Sequence, residues 1–159
     1  MTYNESETIM HGRTQLLAGR RKFSDAALDG IFGGLAGGVA MALYLIAWGL
    51  FTGRMPGMVL GMFDGGMRSA PLGGALTHLA VSAVYGLLFG LIRRALHLRV
   101  PAWLAGVVYG LVLVTIAEVA LPRVSGSPMG QIPTLHFAVA HVVYGAILGL
   151  VSERVGARS

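Results

Sequence analysis

Cysteine is missing from the 159-residue chain, and that one absence removes disulfides, thiolate metal sites, iron–sulfur ligation and a thiol nucleophile. Lysine occurs once, as Lys22, so the formal charge of +5 rests almost wholly on arginine. Charge of either sign is scarce at 12% of residues, about half the share usual in a soluble domain. No Ser-His-Asp order, phosphate-binding loop or HExxH helix is present, so the chain is read as non-enzymatic. The arginines sit beside apolar runs instead of clustering on a soluble face. That argues against nucleic acid and for helix anchoring beside anionic lipid head groups.

What fills the chain is apolar: 55% hydrophobic residues and a mean hydropathy of +0.70. Four runs approach the roughly 20 residues that span a bilayer. They are Gly30–Phe51, Pro71–Ile92, Pro101–Leu121 and Ile132–Val151. The fold class that follows is all-α, a four-transmembrane-helix bundle. Pro71 and Pro101 fit helix starts, where a missing N–H costs little; Pro122 closes the third run and Pro133 opens the fourth. Residues 1–28 form a polar tail with room for an interfacial helix, and Ser24 suits an N-cap for the first span. Residues 29–152 form the transmembrane domain, and 153–159 a second tail. The first run is too late and too long for a signal peptide. Nine of the twelve basic residues lie in the two tails and the 93–100 loop, against Arg54, Arg68 and Arg123 elsewhere. The positive-inside bias therefore puts both termini in the cytoplasm of a multi-pass inner-membrane protein.

The second and fourth runs repeat. Val84-Tyr85-Gly86 with Gly90-Leu91 matches Val143-Tyr144-Gly145 with Gly149-Leu150 at an offset of 59 residues. Gly34 and Gly38 match Gly106 and Gly110 at an offset of 72. The pattern reads as a tandem duplication of a two-helix hairpin. Glycines at four-residue spacing (Gly30, Gly34, Gly38; Gly86, Gly90; Gly106, Gly110; Gly145, Gly149) let helix backbones approach closely. A tight bundle is the favoured reading over a glycine-lined seat for a flat ligand.

His78 and His141 prolong these stripes and should face the interior, as candidate cofactor-binding residues or as plain donors to a carbonyl, Ser82 or a tyrosine. Haem ligation by the pair is disfavoured by an offset in depth of about one helical turn. His136, some 140° around its helix from His141, should serve a different neighbour. Glu118 is the one acid well inside a run, a possible polar site with Arg54, Arg68 or Arg123 as partner, or with His78. Met55, Met58, Met62 and Met67 alternate with glycines in the first outer loop, with Met129 in the other. An apolar segment lying at the interface or meeting a partner is favoured there over Cu(I) binding.

The Gly-rich first run, the His-bearing second run leading into Tyr85-Gly86, and the closing His141-Val142-Val143-Tyr144-Gly145-Ala146-Ile147-Leu148-Gly149 resemble uncharacterised small four-helix membrane proteins of bacteria, over about residues 30–151. The resemblance implies a four-helix fold and carries over no functional residue. The leading expectation is a subunit or assembly factor in contact with lipid and with other membrane subunits or its own copies, within a larger respiratory or photosynthetic complex. The rivals are a small transporter or channel using His78, His141 and Glu118, and a redox protein binding haem or another pigment.

Overall fold

The computed structural model describes residues 3–64, 70–97, 99–120 and 128–156, and among these there is no strand. Helix α1 runs Tyr3–Phe51, α2 Pro56–Gly61, α3 Pro71–Ala95, α4 Ala102–Ala120 and α5 Thr134–Gly156, with one 3-10 turn at Pro128–Gln131. Phe23–Phe51, Pro71–Ala95, Ala102–Val119 and Thr134–Val155 are each long and apolar enough to cross a membrane. The shortest has 18 residues, about 27 Å at 1.5 Å per residue, against roughly 30 Å of hydrocarbon. The chain is a four-pass helical membrane protein.

Helix ends follow the prolines. Pro71 opens α3 at its first turn, while the Pro101 carbonyl accepts from the N–H of Leu104 and of Ala105, both at 3.1 Å. The Pro133 carbonyl does the same for Phe137 at 3.0 Å. Pro122 lies outside the described residues. The start of the first span is a correction. α1 begins at Tyr3, so the tail and the first span are one helix and Ser24 lies inside it, not at a cap. No proline interrupts this stretch, and Leu16, Leu17, Ala18, Ala26, Ala27 and Leu28 all favour helix.

Two helices are central, α1 and α5, which pack on each other; α3 packs on the outside of α1 and α4 on the outside of α5. Glycine makes each of these contacts possible. A Cβ on Gly86 would lie 2.6 Å from the Gly34 Cα, and one on Gly145 would lie 2.7 Å from the Gly106 carbonyl carbon. Those two pairs are equivalent under the 72- and 59-residue offsets. The correspondence continues: Gly38 meets Ser82 where Gly110 meets His141, and Gly90 meets Ala26 and Gly30 where Gly149 meets Ala102. The two hairpins, α1–α3 and α4–α5, are thus built on one contact scheme. At the end that carries the loop between the first two spans, α2 folds back on α1 and α3, and Val59, Met62 and Phe63 are buried there.

Candidate functional site

The α1–α5 seam has a glycine pair of its own. Gly33 faces Leu148 and Ser152, and Gly37 faces Tyr144, whose carbonyl oxygen would lie 2.7 Å from a Cβ there. The repeat offsets place Ala105, Tyr109, Phe89, Arg93 and Tyr85 at the equivalent positions on α4 and α3. A second seam cannot form with those side chains. Tyr109 stands where Gly37 stands in the first copy; its hydroxyl donates to the Tyr85 carbonyl at 2.9 Å, and its ring lies 5.3 Å from that of Phe89. Tyrosine in place of glycine holds α3 and α4 apart, and a cleft runs between them.

In the half of the cleft nearer α2, the side chains of all four spans enclose a cavity of about 220 Å³. Phe63 closes it from the loop, and Met41, His78, Ser82, His141 and Tyr144 are in its wall. The structure therefore brings His78 and His141 together in spite of their offset in depth. The His78 Nε2 is 2.9 Å from the Gly38 carbonyl, and its ring stacks on Phe63 at 4.3 Å. The His141 Nδ1 is 2.8 Å from the Phe137 carbonyl one turn earlier, with the Phe137 ring edge-on at 4.5 Å. A carbonyl only accepts, so in the neutral rings these nitrogens carry the protons. His78 Nδ1 and His141 Nε2 are left as acceptors. Tyr144 donates its hydroxyl to the Ser82 carbonyl at 2.9 Å.

Glu118 is half-buried and lies within electrostatic reach of His141. It forms no ion pair with Arg54. That arginine sits at the end of α1, which does not pack on α4, and its guanidinium rests over the Trp48 ring at 4.9 Å. Arg68 and Arg123 lie outside the described residues. His136 is on another face, as its spacing predicts. Its Nδ1 shares a hydrogen bond of 2.9 Å with the Tyr44 hydroxyl, and its ring is 5.4 Å from Trp48. In the methionine loop, Met62 is buried while Met55 and Met58 are more than 60% exposed, so no thioether cluster converges; Met67 lies outside the described residues. Among the described residues no three His, Asp or Glu side chains gather to hold a metal ion.

The cavity can take a small hydrogen-bond donor or a soft cation, because two imidazole acceptors and the Met41 thioether line it. Its volume is below the roughly 300 Å³ at which pockets for drug-sized ligands begin. Sequence reasoning found both histidines and missed Met41, Phe63 and Tyr85. Tyr85 was readable as the repeat equivalent of Tyr144; the loop residue Phe63 left no signal.

Fold and cleft together define a four-pass membrane protein of two similar hairpins, with a pocket into which two histidines face. The chain belongs to a family of unknown function, DUF6789, whose model matches residues 24–159. Neither a curated protein nor a solved structure matches it.

Proposed function

We propose that the chain is a non-enzymatic integral membrane subunit or assembly factor, packed against other proteins of a larger respiratory or photosynthetic complex in a bacterial inner membrane, with both termini cytoplasmic. One observation carries this reading. The donors of these interior polar groups go to the bundle's own backbone: His78 to Gly38, His141 to Phe137, Tyr144 to Ser82, and Ser152 to Leu148 at 2.7 Å. Donors spent in this way fix the shape of the bundle. The nine-to-three arginine and lysine bias supports the orientation. Purification in mild detergent should recover stoichiometric partner subunits; a lone chain with none would refute the assignment. A reporter fused after Ser159 should read cytoplasmic and one near Gly65 external, and a cytoplasmic signal at Gly65 would overturn the topology.

A second reading, a small transporter or proton path, is favoured by the meeting of His78 and His141 at one cavity, with Glu118 within electrostatic reach of His141. His78→Gln and His141→Gln in proteoliposomes separate the two. A glutamine amide can still donate to the Gly38 or Phe137 carbonyl but cannot titrate near neutral pH. A structural role leaves fold and complex assembly intact, whereas a transport role abolishes a pH-driven flux at unchanged helix content.

A further inference from the structure

Beside the turn after α3, and walled by α1, α3 and α5, a cavity of about 420 Å³ is lined by Asp29, Arg93, Arg94, His97, Arg99 and Ser152. Three guanidinium groups face one carboxylate there. Among the described residues none of the three forms an ion pair, and the Nε atoms of Arg93 and Arg94 are buried without a hydrogen-bond partner. Arg94 carries a ring contact, its guanidinium lying 5.7 Å from the Phe23 centroid, which leaves its donors unanswered. Buried donors on a cation call for an anion, since an orphaned charged group costs more than a neutral one.

The basic cavity adjoins an apolar groove of about 330 Å³, and Phe89 and Arg93 stand in the walls of both. Ile92 of α3 and Leu104, Val108 and Val112 of α4 line the groove, with Tyr109 beside them. This groove is the place where the α1–α5 seam would be repeated if Tyr109 and Arg93 were Gly and Ser. The duplication has thus exchanged a helix contact for an open slot with a cationic mouth.

We propose that this slot is a specific site for an anionic phospholipid, its phosphate among Arg93, Arg94 and Arg99 and one acyl chain along α3 and α4. Charge complementarity selects the head group, and the slot's position within the membrane spans selects a lipid over a soluble anion. Basic pockets between membrane helices suit such head groups. The site is independent of the histidine cavity and of any partner protein.

The full chain, delipidated in mild detergent, is titrated with phosphatidylglycerol, phosphatidylcholine and inorganic phosphate while bound lipid is counted by native mass spectrometry. One phosphatidylglycerol per chain should be retained at far lower concentration than phosphatidylcholine, and phosphate should not compete. Each Arg near a lipid phosphate is worth roughly a factor of five, so R93Q/R99Q should weaken phosphatidylglycerol retention about 25-fold. R99Q alone, at an exposed side chain beyond α3, should weaken it about fivefold without risk to the fold. Val108→Trp, which fills the groove and leaves every charge, should also abolish the one-to-one complex. Equal retention of the two lipids, competition by phosphate, or full retention in Val108→Trp would each overturn the proposal.

Discussion

Replacing Gly86 by alanine adds one methyl group at the tightest kind of contact in the molecule. The new Cβ would sit 2.6 Å from the Gly34 Cα and 2.8 Å from its nitrogen, and closer still to the Gly30 carbonyl oxygen. Carbon atoms attract best at about 3.5–4.0 Å, so α3 must retreat from α1 by roughly 1 Å. Retreat also loosens the contacts of Gly90 with Ala26 and of Ser82 with Gly38 on the same face. Overpacking of one methylene in a close-packed interior costs about 1–3 kcal/mol, and the gain in helix propensity from Gly to Ala returns at most about 1. A net loss of about 1–2 kcal/mol is expected, read as a shift in a denaturant or thermal unfolding curve in detergent. Gly145→Ala, its repeat equivalent against Gly106, should lose a similar amount. Gly57→Ala is the control, because its nearest neighbour is the Pro71 Cγ at an ordinary 3.4 Å. If Gly86→Ala and Gly57→Ala unfold alike, the α1–α3 contact is not the one described.

Tyr144→Phe removes the hydroxyl that reaches the Ser82 carbonyl from α5 to α3, and should cost about 0.5–1.5 kcal/mol in the same unfolding assay, with no change in helix content. A double-mutant cycle of Tyr44→Phe with His136→Ala should show a coupling of about 0.6–1.7 kcal/mol, and additivity would deny the hydrogen bond between α1 and α5. Arg54→Gln should cost about 0.5–1 kcal/mol through loss of its stacking on Trp48, and Glu118→Gln should leave that loss unchanged, because the two residues are not paired.

The spans were legible because hydrophobic length alone decides them, and the pairing of α1 with α3 and of α4 with α5 followed from the repeated hairpin, with the four-residue glycine spacing marking the faces that meet. The interior direction of His78 and His141 was legible for the same reason. The seam between hairpins was not. Gly33 and Gly37 lie one residue from the stronger stripe of Gly30, Gly34 and Gly38, and with so many glycines in α1 nothing in the pattern says that it presents two faces. The Glu118–Arg54 pairing failed because it depends on which helices are neighbours across the bundle, and hydropathy is silent on that. A helix in the tail was foreseen, but its unbroken run into the first span was not, because Ser24 looks like a cap while its neighbours favour helix by propensity.

The two copies of the hairpin show how little sequence separates a sealed interface from an open one. Both copies keep the glycines that join their own two helices, since a large residue there would drive two backbones apart. At the positions that join one copy to the other, Gly37 and Ser152 in the first seam correspond to Tyr109 and Arg93 in the second. Tyrosine prevents backbone approach, and arginine cannot be sealed inside without an anion. A symmetric closed bundle would need both changed together: Tyr109→Gly alone leaves the guanidinium to be buried, and Arg93→Ser alone leaves the ring as a wedge. The opening is therefore held by two independent obstacles, one steric and one electrostatic, and they occur at the same end of the same cleft. Drift that merely relaxed the second seam would be satisfied by either one.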